Sequence, residues 1–168
     1  MGVEMIFVLG NVASLVGCVI MVAIGFLKKK EHILAAQCVQ FGFLGMGNLA
    51  LGAISGFISG VVSIIRNLVF FRAKSTVWLK LLFIAIQVAL TLAFGMGSWM
   101  DWLPVLAGVL FTWFVDAKRA ATFKLAIIAA QSMWLVYDLY YRNYVASAFD
   151  VMTMISNLIG FFMVRNQK

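Results

Sequence analysis

The sequence predicts an all-α integral membrane protein of seven transmembrane helices, arranged as two parallel three-helix repeats joined by a linker helix. Three observations carry that expectation. First, 64% of the 168 residues are hydrophobic, only 11% are charged, and the mean hydropathy is +1.04. Soluble domains carry about 25% charge, so only a lipid-exposed chain fits this balance. Second, the basic residues fall at alternate breaks between apolar runs. Third, a few polar residues recur in the same order in the first and last thirds of the chain.

The apolar runs and their breaks place spans at about 5–27, 32–52, 54–72, 77–97, 102–116, 120–141 and 145–164. Glu4 stands where a cleaved leader would carry positive charge, so the first run reads as a retained helix closed by Lys28, Lys29 and Lys30. The pause between Gly52 and Gly56 is the shallowest break, and without it the count would fall to six. The whole of 1–168 reads as one membrane domain, with 5–72 as the first repeat, 77–97 as the linker and 102–164 as the second repeat.

Charge sets the expected orientation. With the N-terminus outside, the cytoplasmic ends hold Lys28, Lys29, Lys30, Arg72, Lys74, Lys80, Lys118, Arg119, Lys124, Arg165 and Lys168, eleven of the thirteen basic residues. Positive charge is retained on the cytoplasmic side during insertion, so the reading is N-out and C-in with an odd number of spans. Trp99, Trp102, Tyr140, Tyr141 and Tyr144 collect at the opposite ends, where aromatic rings favour the interface. The net charge of +7 is spread among loops rather than over one face, so nucleic acid is not an expected partner.

The repeat is read from Ala35-Ala36-Gln37-Cys38 against Ala129-Ala130-Gln131-Ser132, and from Ser63 and Asn67 against Thr153 and Asn157. Glutamine and asparagine are 30 residues apart in the first copy and 26 in the second, which predicts a second external loop four residues shorter. An odd linker helix is what two parallel three-helix units require.

Each repeated helix carries a polar stripe at helical spacing: Asn11, Ser14 and Cys18; Gln37, Gln40 and Asn48; Ser59, Ser63, Arg66 and Asn67; Gln131, Trp134, Asp138 and Tyr141; Asp150, Thr153, Asn157 and Gly160. The linker shows little beyond Gln87 and Thr91. Polar groups in a membrane interior must find partners or water. One such residue is usually an interhelical hydrogen bond worth about 0.6 kcal/mol. Five stripes together predict a shared cavity.

Candidate solute-binding residues are therefore Asn67, Asn157, Arg66, Trp134, Ser63 and Thr153. Arg66 lies about 9 Å along its helix from Arg72. It either snorkels to the interface or turns inward toward an anion or a carboxylate. Asp116 is its expected partner by depth, and Asp150 is read as an outer gate or interfacial charge.

The chain has one histidine, scattered acidic residues, and no H-E-x-x-H, G-x-S-x-G or phosphate-loop motif, so it does not read as an enzyme. Cys18 and Cys38 read as small packing residues, and neither a cofactor nor a metal is expected.

The segment Ile64-Ile65-Arg66-Asn67-Leu68, with Leu103-Pro104-Val105-Leu106, Trp113, Trp134, Tyr137 and Asn157, resembles the YgjV-type bacterial inner-membrane proteins. The resemblance implies a bacterial inner-membrane location. More distantly the plan is similar to the SWEET, SemiSWEET and PQ-loop carriers, whose central site is lined by tryptophan and asparagine. That likeness implies a small-solute site at Asn67, Asn157 and Trp134. The chain departs from it in having no Pro-Gln pair and a single proline, Pro104. Gly10, Gly17 and Gly108 are the substitute hinge candidates. The expected partners are the bilayer and a small solute, with Arg66 pointing to an anion, and homo-oligomerisation is left open. The alternative is a receptor or scaffold that binds without transporting.

Overall fold

The computed structural model describes residues 2–24, 30–72, 76–95, 97–114, 117 and 119–164. Among them the chain forms seven α-helices: α1 (Gly2–Ile24), α2 (Lys30–Ala50), α3 (Ile54–Arg72), α4 (Val77–Phe94), α5 (Trp102–Phe114), α6 (Ala120–Tyr140) and α7 (Tyr144–Val164). A short 3-10 turn, Trp99–Asp101, precedes α5.

Four helices, α1, α3, α4 and α7, are long and apolar enough to cross a membrane. α5 is apolar but short, about 20 Å at 1.5 Å per residue. α2 and α6 are the polar helices, carrying Gln37, Gln40 and Asn48, and Lys124, Gln131 and Asp138. Each lies between two others: α2 between α1 and α3, α6 between α5 and α7. A helix flanked by protein can carry amides and carboxyls that lipid would not tolerate. Leu9, Val12, Val16 and Val19 of α1, and Met152, Ile155, Leu158 and Ile159 of α7, point outward. So large an apolar surface is stable only in lipid.

The helices close a ring. α1 meets α7, and α3 meets α5, so α1, α2, α3, α5, α6 and α7 surround a common interior while α4 packs outside against α3 and α5. α4 is fixed by its centre: Gln87 Nε2 donates to Ser59 Oγ (2.8 Å) and to the Pro104 carbonyl (3.1 Å). The expected hinge glycines serve close approach here. Gly10 and Gly17 face Leu51 and Leu44 of the α2 side, and Gly108 faces the Gln87 amide.

The break near Gly52 is real. The chain leaves α2 through Leu51 and Gly52, and Gly52 takes φ +76, where a side chain would be strained. The Gly52 amide donates to the Leu49 carbonyl and Ala53 to Asn48. The same turn closes α6: Arg142 stands at φ 59, its amide donates to Leu139, and Asn143 donates to Asp138. Both turns hold three residues between helices, 51–53 and 141–143. The second loop is therefore not four residues shorter. Gln37 and Gln131 simply do not occupy matching places, because the helix bounds 30–50 recur at 120–140, a shift of 120 − 30 = 90, while the glutamines are 131 − 37 = 94 apart. α4 also stops earlier than expected, at Phe94, because Gly95 caps it and Ser98 opens the 3-10 turn.

Candidate functional site

The ring lines a partly open cavity of about 530 Å³. α2 contributes Gln37 and Gln40, α3 Ser59, Ser63 and Arg66, α5 Gly108 and Phe111, α6 Gln131 and Trp134, and α7 Thr153 and Asn157. A second hollow of about 100 Å³ adjoins it, sharing Gln40, Ser59, Ser63, Gln131 and Trp134, and reaches toward the α2–α3 and α6–α7 turns. Its far wall carries Asn48, Asp138 and Asp150. The polar stripes of α2, α3, α6 and α7 thus share an interior because period-3.6 spacing keeps each on one face.

Arg66 is 3% exposed and does not snorkel. Nη1 donates to Thr112 Oγ1 (3.0 Å), and the guanidinium carbon stands 5.1 Å from the centre of the Phe111 ring. No other protein hydrogen bond and no carboxylate meets this guanidinium among the described residues. Asp116, its expected partner, lies outside them. A guanidinium has five N–H donors, so the site keeps donor capacity facing the cavity. Neither Thr112 nor Phe111 was singled out by sequence. Gly108 and Thr112, four residues apart, were the available signal on α5.

Asp138 and Asp150 form the second cluster. They come from facing helices, are 4% and 7% exposed, and lie within hydrogen-bond reach of each other. Gln131 Nε2 donates to Asp150 Oδ1 (3.3 Å), while Asp138 Oδ1 and Asp150 Oδ2 have no donor among the described residues. Sequence spacing could not reveal this pair, because the two residues are twelve apart across a turn. Asp150 therefore faces another carboxyl rather than a cation or the outer interface.

A third acid closes the turn end. Asp101 is 1% exposed and accepts four hydrogen bonds: Oδ1 from Ser55 Oγ (2.8 Å) and Tyr141 Oη (2.9 Å), Oδ2 from the amides of Gly97 (2.9 Å) and Ser98 (2.7 Å). Ser55 Oγ also stands 2.8 Å from the Tyr137 hydroxyl, which accepts from the Gly56 amide at 2.8 Å. Asn143 Nδ2 donates to Asn48 Oδ1 (3.3 Å), tying the two turns together.

Among the sequence-predicted residues, Arg66, Ser63, Trp134, Thr153 and Asn157 line the large cavity. Asn67 does not. Its Nδ2 donates to Gln37 Oε1 (3.0 Å), which holds the side chain between α2 and α3, beside Cys38. Asn157 donates to the Thr153 carbonyl of its own helix (2.9 Å). The pairing of the two asparagines across the cavity is thus corrected: a local amide partner outcompetes the interior. Among the described residues no group of three or more acidic, cysteine or histidine side chains suited to a metal is found.

An apolar-belted ring of helices around a largely apolar cavity that carries a few polar side chains defines a multi-helix integral membrane protein. The family model of Imp-YgjV, described as a bacterial inner membrane protein, matches residues 8–168, so the chain belongs to that family. No curated protein and no solved structure matches the chain.

Proposed function

We propose that the chain is a membrane facilitator for a small anionic solute, which binds in the large cavity against Arg66. The observation that carries this reading is a buried guanidinium with a single protein hydrogen bond among the described residues, on the wall of a cavity of about 530 Å³. Burying an unpaired charge costs several kcal/mol, and an anion with charge-assisted hydrogen bonds offsets that cost. Gln40, Gln131, Ser63 and Asn157 supply neutral donors and acceptors for the rest of the solute, and Trp134 offers an apolar wall.

In this reading α1–α3 and α5–α7 are parallel repeats linked by α4, a SWEET-like plan. The shared 90-residue shift and the matching Gly52 and Arg142 turns support it. The two units rock about their α1–α7 and α3–α5 seams to alternate access. The clamp at Asp101, Tyr137 and Asn143 holds the turn end shut in this conformation. With the N-terminus outside, that end is external.

Uptake by proteoliposomes of radiolabelled lactate, succinate and inorganic phosphate, with glucose as the neutral control, tests the proposal. At least one anion should enter faster than through protein-free vesicles, and Arg66→Met should slow it about tenfold or more, the worth of one charge-assisted hydrogen bond. Glucose entering as fast as the anions, or Arg66→Met leaving uptake intact, would refute it. Anion binding without uptake would favour a receptor.

A further inference from the structure

Asp138 and Asp150 present a problem of donors. Each carboxyl is more than nine-tenths buried, they lie within hydrogen-bond reach of each other, and one oxygen of each lacks a donor. Two carboxylates have no hydrogen to share, so a hydrogen bond between them requires a proton on one. Among the described residues, the walls of this hollow supply no competing charge. α1 brings the Cys18 thiol, α2 the neutral Gln40 and Asn48, α3 the hydroxyls of Ser59 and Ser63, and α6 the Gln131 amide. The nearest cation on the cavity walls, Arg66, stands in the adjoining hollow.

The pair is also reachable. The hollow it lines holds about 100 Å³, several times the roughly 10–15 Å³ that a single water centre requires, and shares walls with the larger cavity. Ser59, Ser63, Gln40 and Gln131 on the shared wall can hydrogen-bond a file of water between the two hollows. A metal cation is the less fitting occupant, since ion sites spread their oxygens around a centre and these two carboxyls approach each other.

We propose that Asp138 and Asp150 form a proton-exchange site that takes one proton from cavity water onto a carboxylate oxygen and returns it by the same route. Only an O–H bond is made and broken. If solute enters as an anion at Arg66, a proton carried on this pair compensates its charge, which makes the cycle a proton–anion symport. That coupling rests on the carrier reading above, whereas the exchange itself does not.

Infrared spectra of the full chain in phosphatidylcholine vesicles, titrated from about pH 4 to about pH 10, decide the matter; that window covers the spread documented for buried carboxyls. The carbonyl band of a protonated carboxyl should vanish with rising pH, by one group per chain. It should be lost from the Asp138→Asn, Asp150→Asn double variant and shifted in each single variant, which serve if the double variant fails to fold. A band indifferent to bulk pH, or one that titrates equally in the variants, would overturn the site. So would a band displaced when sodium replaces choline at constant pH, since that marks a cation site. A titrating pair in a chain that moves no anion would leave the exchange site standing and remove only the carrier reading. Anion uptake with a silent pair would do the reverse.

Discussion

The turn-end clamp and the cavity each bury acidic side chains to nearly the same depth, yet they treat them in opposite ways. Asp101 accepts four hydrogen bonds from α3, the turn after α6 and the loop before α5, and both its oxygens are filled. Among the described residues, Asp138 and Asp150 receive one donor between them, from Gln131, and face each other. A satisfied carboxylate joins elements together, because each donor lost would be stranded in a dry interior. An under-satisfied pair cannot serve that purpose and is retained at a cost. Burial alone does not mark a functional acid; an unfilled hydrogen-bonding inventory on a cavity wall does.

One chemical change made at both places tests the distinction. Asp101→Asn replaces one acceptor oxygen by an NH₂ group that must face either two backbone amides or the Ser55 and Tyr141 hydroxyls. Facing the hydroxyls is the better choice, since their oxygens can turn to accept. Four charge-assisted hydrogen bonds then become neutral and two hydroxyls must re-aim, so a loss of about 1–3 kcal/mol is expected. Thermal unfolding of the detergent-solubilised protein, followed by size exclusion, measures it. A change under about 1 kcal/mol would show that the clamp is not what holds the turn end.

Asp150→Asn should behave differently. The amide keeps an oxygen for Gln131 and gains a donor for Asp138, so the missing hydrogen is supplied permanently. Stability should stay within about 1 kcal/mol of the parent or rise, as when buried charge is replaced by a matched neutral group. The same unfolding assay applies. A loss as large as that of Asp101→Asn would erase the contrast and make the pair a structural joint.

The sequence foretold the fold more fully than the site. Apolar runs and their breaks located all seven helices, even the shallow one at Gly52, because helix ends in lipid are set by strong local signals such as Gly52 and Ser98. Five of six candidate residues share the large cavity, since helical spacing decides which face a residue occupies. What spacing cannot decide is which neighbour captures a side chain within that face. Thr112 reaching Arg66, Asp138 reaching Asp150 and Gln37 reaching Asn67 all depend on the rotation of one helix against another. The glutamine match failed for a related reason: in chains built from few residue types, a short identical string sits easily four residues out of register.

Asn67 and Asn157 give the finest test of that lesson, because the 90-residue shift makes them equivalent in the chain while their surroundings differ. Asn67→Ala removes a side-chain bond between α2 and α3 and should cost about 0.6 kcal/mol, the usual worth of an interhelical hydrogen bond in a membrane. It should leave anion uptake unchanged. Asn157→Ala breaks only a bond within its own helix, so its effect on unfolding should be smaller still. Its amide lines the cavity, so on the carrier proposal anion uptake should fall severalfold, as for one lost neutral hydrogen bond. Measuring unfolding and uptake on both variants separates the two roles. Equal uptake defects would mean that both asparagines reach the solute as the units rock, which would carry Asn67 out of its Gln37 contact in the other conformation.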